Sequence, residues 1–258
     1  MMNNYNKEII DFYDQMKRDK VNFYELDLDR DDYLAFSKIN GEPFIGKNIK
    51  YRDLEDMFFS SINCFYIRTI RFYLERIREI LIYRDPYLSH GFAYLEGDSI
   101  LQKIIIPDGQ LKEIDFISYA HELGHLPTLI HPIKDDAFEY LEVLPMFIEY
   151  SAFLECDKDN GYTNFINNLK WMVSEISKSY LECDNCNNMT YSFLQKKDHQ
   201  KYLYSFDYCL QLIERFFSDK DIVYKNINQY VLGGKSMKMI AKDLDIDTRE
   251  CKVLKKIL

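Results

Sequence analysis

Chain breakers are scarce in this sequence: nine glycines and six prolines in 258 residues. So few turn-forming residues leave little room for a loop-rich or many-stranded architecture and suit a mainly helical protein. No apolar run reaches the roughly 18 residues that a membrane-spanning helix needs, so no transmembrane segment is expected. Positive charge is also short. Lys and Arg number 33 against 42 Asp and Glu, giving a net charge of −9 and a pI near 5.2. Without a basic field to hold phosphates, neither nucleic acid nor an anionic membrane is expected as a main partner. The first twenty residues are polar and lack the apolar stretch of a signal peptide, so a cytoplasmic location is expected. In that compartment the six cysteines read as free thiols. Cys183-Asp184-Asn185-Cys186 is a lone C-x-x-C with no second pair, and reads as a reduced loop pair.

Histidine is scarce too, five in all, and two of the five fall in one short motif. His121-Glu122-Leu123-Gly124-His125 reads H-E-x-x-H and follows the apolar, helix-compatible segment 114–120. On an α-helix the i, i+4 spacing puts His121 and His125 on one face, a turn apart, where two imidazoles can bind one Zn²⁺. Glu122 stands beside them and can take a proton from a metal-bound water.

What surrounds the motif is read by period. Positions 9–16 give a short amphipathic helix, and positions 52–84 a long one ended by Asp85-Pro86. Residues 91–106 switch to a strand pattern, a hairpin or paired strands, with Pro107-Asp108-Gly109 as a turn before the H-E-x-x-H helix. Zinc peptidases usually line their cleft with an edge strand to which a substrate peptide can pair, and the strand before the motif is a candidate for that place. Pro127 should kink or stop the helix near the metal. A further helix is expected from Asp135 to Tyr150 with a kink at Pro145, then helices over 162–182, 198–217 and 221–232, and two short ones between Ser236 and Leu258. The chain divides into an N-terminal helical region, 1–90, and a catalytic region, 91–258, which can also form one continuous domain. Gly234-Lys235-Ser236 imitates the end of a phosphate-binding loop, but Gln229 stands where that loop needs glycine.

A catalytic zinc takes three protein ligands and a water. His131 stands ten residues after His121, as in the metzincin pattern, although that pattern wants glycine where Thr128 stands; Asn188 to Tyr191 could supply its methionine turn. Glu142 and Glu149 are the other candidates. They lie seven apart on one face of an apolar helix, where a carboxylate is costly unless it meets a cation or a metal.

Four patches in order resemble the oligoendopeptidase F and thimet oligopeptidase family of zinc peptidases. They are Gly91-Phe92-Ala93 with IIIPDGQLKEIDFISYAHELGH, then LEVLPMFIEY, then HQKYLYSFDYCL, then NQYVLGGKSMKMIAKDLDID, together spanning about 91–247. The resemblance implies a mainly α zincin-like catalytic domain with a small β-sheet and H-E-x-x-H on its active-site helix. It implies one Zn²⁺ per chain held by His121, His125 and Glu142, with Glu122 as general base. Tyr204, with Tyr202 or His199 near it, would hold the oxyanion, and the substrate would be a short peptide. Pro145 stands one place later than the family's proline, the spacer from His125 to Glu142 is shorter, and most of the family's long N-terminal half has no counterpart, so a more open cleft is expected. A metzincin-like peptidase with His131 as third ligand, and a zincin scaffold that binds a peptide or partner protein without cleaving it, are the alternative readings. The oligomeric state has no signal in the sequence.

Overall fold

The structure, a computed structural model, describes residues 28–64, 81–85, 92–95, 102–107, 110–125, 140–183 and 189–257. Its described elements are mainly helical. In chain order they are α1 (Arg30–Phe36), α2 (Leu54–Cys64), β1 (Leu81–Asp85), β2 (Phe92–Leu95), β3 (Gln102–Pro107), α3 (Glu113–Gly124), α4 (Val143–Cys156), α5 (Gly161–Glu182), α6 (Met189–Ser218), α7 (Lys220–Val231), α8 (Met237–Asp243) and α9 (Lys252–Ile257).

The organising element is α4. Every residue from Val143 to Phe153 is buried, and apart from Glu149 and Ser151 the run is apolar, as suits a helix enclosed on all sides. It packs against α2, α3, α5 and α6. Its N-terminus departs from the sequence expectation. The helix begins at Val143, with Glu142 as its N-cap residue, so Pro145 falls in the first turn. Backbone N–H groups there have no partner within the helix, and a proline loses nothing and makes no kink.

The sheet orders its strands β1-β3-β2, with β1 parallel and β2 antiparallel to β3. Two expectations fail here. Leu81–Asp85 is a strand and not the end of a long helix; within the described residues α2 runs from Leu54 to Cys64. β3, which precedes the H-E-x-x-H helix, is paired on both sides and is no edge strand to which a peptide can add.

An irregular segment ties α5 to α3. Phe44 N donates to Asn168 Oδ1 (3.0 Å), Ser174 Oγ to the Ser37 carbonyl (3.0 Å), and Gly41 lies so close to α5 that a Cβ there would sit 2.2 Å from Trp171 N. Further on, Glu113 N donates to Lys47 O (2.9 Å), Ile49 N to Leu111 O (2.9 Å) and Lys47 N to Glu113 Oε2 (2.8 Å). Gly46 makes this turn at φ 71°, a conformation that glycine adopts at little cost.

At the other end α6 carries the C-terminal segment. Tyr208 donates to the Met237 carbonyl (2.8 Å), and Asp207 accepts from Leu254 N (2.7 Å) at the start of α9. One hydrophobic cluster runs from Tyr33 to Leu254. Among the described residues no helix is long and apolar enough to cross a membrane. The helix expected at 9–16, His131 and Pro127 lie outside the described residues. Met189 and Tyr191 are helical, so Asn188 to Tyr191 does not supply a methionine turn.

Candidate metal centre

Helix α3 delivers the two histidines. Asp115 Oδ2 accepts from Lys112 N (2.7 Å) at its start, and acidic residues fill the first turn, where the helix dipole favours them. The helix ends at Gly124. His125 follows as its C-cap residue, still helical in its backbone (φ −76°, ψ −21°), so both imidazoles keep the same face. Gly124 sets the distance to α4: a Cβ on it would stand 2.5 Å from the Pro145 Cα and 3.0 Å from the Pro145 nitrogen. This close approach of α3 to the first turn of α4 brings Glu142 to the histidines.

Nε2 of His121 lies 3.2 Å, and Nε2 of His125 3.4 Å, from Glu142 Oε2. One nitrogen or oxygen from each of the three residues lies within 4.8 Å of the others. Two ligands of a tetrahedral zinc with bonds of about 2.1 Å stand about 3.4 Å apart, so these distances suit a single ion. Glu142 Oε2 is buried and accepts no hydrogen bond of acceptable geometry. A buried carboxylate oxygen left in that condition is costly, and a cation bound between it and the two imidazoles would satisfy it.

The other contacts hold these groups in position. Glu149 Oε2 meets Nδ1 of His121 at 3.1 Å, the carboxylate–histidine arrangement that orients a metal-ligating imidazole. Lys201 Nζ sits 2.7 Å from Glu142 Oε1, 3.4 Å from Asp198 Oδ1 and 4.5 Å from the Tyr202 ring centre. Glu142, Glu149 and Lys201 are all buried. Two buried carboxylates against one lysine leave an excess of negative charge. Burial works against a charge on His121, but Glu142 and Glu149 outweigh it and raise the imidazole to about 10. The same excess would attract a divalent cation. Burial likewise opposes the Glu142 charge, and Lys201 and His125 overcome it, holding the carboxyl well below the usual range.

Beside this group lies a cleft of about 590 Å³. Three helices line it with a stripe at helical spacing, α3 from Ile114 to Glu122, α5 from Asn168 to Ile176, and α6 with Asp198, His199 and Tyr202, and α4 adds Glu149. Glu122 and His121 open into it. Tyr202 and His199 share its wall, whereas Tyr204 is buried, edge-on to Tyr140 with ring centres 5.3 Å apart, and is not among the lining residues.

The structure thus brings His121, His125 and Glu142 together and sets Glu122, His199 and Tyr202 on the cleft. Glu149, a rival third ligand by sequence, faces the far nitrogen of His121 instead. Lys201 escapes a sequence reading. Its only signal is its place between Gln200 and Tyr202 in an aromatic-rich helix. Comparison with protein-family models, with curated proteins and with solved structures finds no match.

Proposed function

We propose that this chain is a zincin-like, zinc-dependent peptidase that hydrolyses short peptides. The observation that carries the reading is Glu142 Oε2, buried, without a hydrogen bond, and facing two imidazole nitrogens at distances that suit one zinc ion. The order of elements, a strand, the H-E-x-x-H helix, then a helix that starts at a carboxylate, supports the zincin reading. A zinc ion held by His121, His125 and Glu142 would supply a Lewis acid and a water of lowered pKa.

The rest falls to the chain's own residues. Glu122, next to His121 and open to the cleft, accepts the proton of the attacking water and passes it to the leaving amine. Tyr202 and His199, both on the cleft wall, are the candidates for a donor to the oxyanion; such a donor is typically worth about 3–4 kcal/mol. Tyr204 is the weaker candidate because its ring packs in the core. Glu149 fixes the His121 ring, and Lys201 holds Glu142 by Oε1 so that Oε2 is turned to the histidines.

The test is elemental analysis of purified protein together with hydrolysis of quenched peptides. About one zinc per chain is expected in the wild type and in Glu122→Gln, with hydrolysis lost in the latter, and little zinc is expected in Glu142→Ala. Full activity in Glu122→Gln, or no zinc in the wild type after reconstitution, would overturn the reading. Zinc and peptide binding without turnover of any peptide would make the chain a binding scaffold.

A further inference from the structure

The cleft is one-sided in its chemistry. Its walls are apolar at Phe44, Ile117, Trp171, Met172 and Ile176, yet four carboxylates line it: Glu122, Glu149, Glu175 and Asp198. None of its described lining residues is Lys or Arg. Two of the carboxylates have work at the metal centre, Glu149 on His121 and Glu122 as the proposed base. The other two, Glu175 on α5 and Asp198 on α6, are not among the three candidate ligands. Glu175 is half exposed and paired with Lys178 at 2.7 Å, a surface contact that water screens; Asp198 is paired with Lys201 at 3.4 Å. Lys201, the partner of Asp198, is itself buried against Glu142. Away from the metal centre, a ligand carboxylate in this cleft would find repulsion and no Lys or Arg among the described lining residues.

Length is limited as well. The α3 stripe from Ile114 to Glu122 covers eight residue steps, about 12 Å at the helical rise. An extended chain advances about 3.3 Å per residue, so three to four residues fit beside His121.

We propose, on the peptidase reading above, that this cleft selects an extended peptide segment in which an apolar or aromatic side chain is followed or preceded by a cationic one, and that it discriminates against acidic segments. The apolar side chain packs on Trp171, Met172 and Ile176, and the cation is drawn to Glu175 and Asp198.

The experiment uses full-length zinc-loaded protein and three end-blocked quenched peptides. They share one phenylalanine and differ next to it in Lys, Gln or Glu. The lysine peptide is expected to exceed the glutamate peptide in kcat/KM by about tenfold at low salt, with the gap shrinking as salt screens the charges. Glu175→Gln, a substitution at a half-exposed position on α5, is expected to narrow the gap severalfold. Equal rates, or a preference for the glutamate peptide, would overturn the inference and leave the peptidase reading standing. If no peptide is cleaved, the peptidase reading fails, and calorimetric titration of the same peptides decides the inference alone. Tighter binding of the lysine peptide upholds it; no binding or no preference overturns it.

Discussion

At the scale of single residues, the site depends on a lysine whose ammonium is buried on the third candidate ligand. Burial opposes the Lys201 charge, but Glu142 above all outweighs it and holds the ammonium well above the usual lysine range. Lys201→Met removes that partner and leaves the Glu142 carboxylate buried beside the histidines alone. Breaking a buried pair from one side costs about 3–5 kcal/mol. Denaturant unfolding of metal-free Lys201→Met is expected to show a loss of that order, and saturating zinc should shrink it because the ion takes over part of the neutralisation. An equal loss with and without zinc would mean that Glu142 does not bind the metal. The His pair was legible in the sequence because its chemistry follows from spacing, whereas the residues left His131, Glu142 and Glu149 open as the third ligand and only the family resemblance favoured Glu142. Lys201 was not legible, because its contact with Glu142 is made between two helices and lysines on helices ordinarily face water.

At the scale of elements, the approach of α3 to α4 decides whether the ligands meet. Alanine in place of glycine within a helix usually stabilises by up to about 1 kcal/mol. For Gly124→Ala the sign should reverse, because the new methyl meets backbone atoms of Pro145, which cannot swing aside. A loss of about 1–3 kcal/mol is expected, together with weaker zinc binding in a chelator competition, since the helices must part where Glu142 meets the histidines. Gly234→Ala is the control: its Cβ would meet the Gln229 carbonyl at 3.5 Å, an ordinary contact, and a change within about 0.5 kcal/mol is expected. A variant at 124 as stable as the wild type and with unchanged zinc affinity would refute this account. Periodicity located α5 and α7 closely, because long amphipathic patterns admit one interpretation. It missed β1, because Leu81-Ile82-Tyr83 continues a helical apolar pattern and only its pairing with β3 settles the matter. The start of α4 was misplaced because Asp135 and Asp136 offered a good cap in sequence, while the helix starts at Val143 with Glu142 as its N-cap residue.

At the scale of the whole molecule, the C-terminal segment is fastened to α6 through one buried acid. Asp207 accepts from Leu254 N (2.7 Å) and from Gln211 Nε2 (2.7 Å), and Gln211 also bonds the Asp247 backbone in both directions. Burial raises the Asp207 carboxyl to about 6 against the lowering effect of these donors. The folded value lies above the ordinary 3.8, so the folded chain binds this proton more tightly than the unfolded chain. The group therefore costs stability above pH 6, and the cost fades as the pH falls from about 6 towards 4. About 1.4 kcal/mol per unit makes the full step on the order of 2–3 kcal/mol. The measurement is the difference in unfolding free energy between wild type and Asp207→Asn from pH 7.5 to 4.5. The wild type is expected to gain on the variant as the pH falls; a pH-independent difference would exclude Asp207 as the titrating group.

The chain holds a single tryptophan among 21 tyrosines, and that tryptophan, Trp171, stands in the cleft wall. Light at the red edge of aromatic absorption therefore excites one indole in one place. Its emission reports on the groove and not on an average over the protein, so the natural protein is its own optical sensor. An apolar side chain seated on the ring should move the emission to the blue by displacing water. Zinc, which on the proposed reading would bind at His121, His125 and Glu142, should move it much less. Metal loading and occupancy of the groove would then be distinguished in one titration without a label.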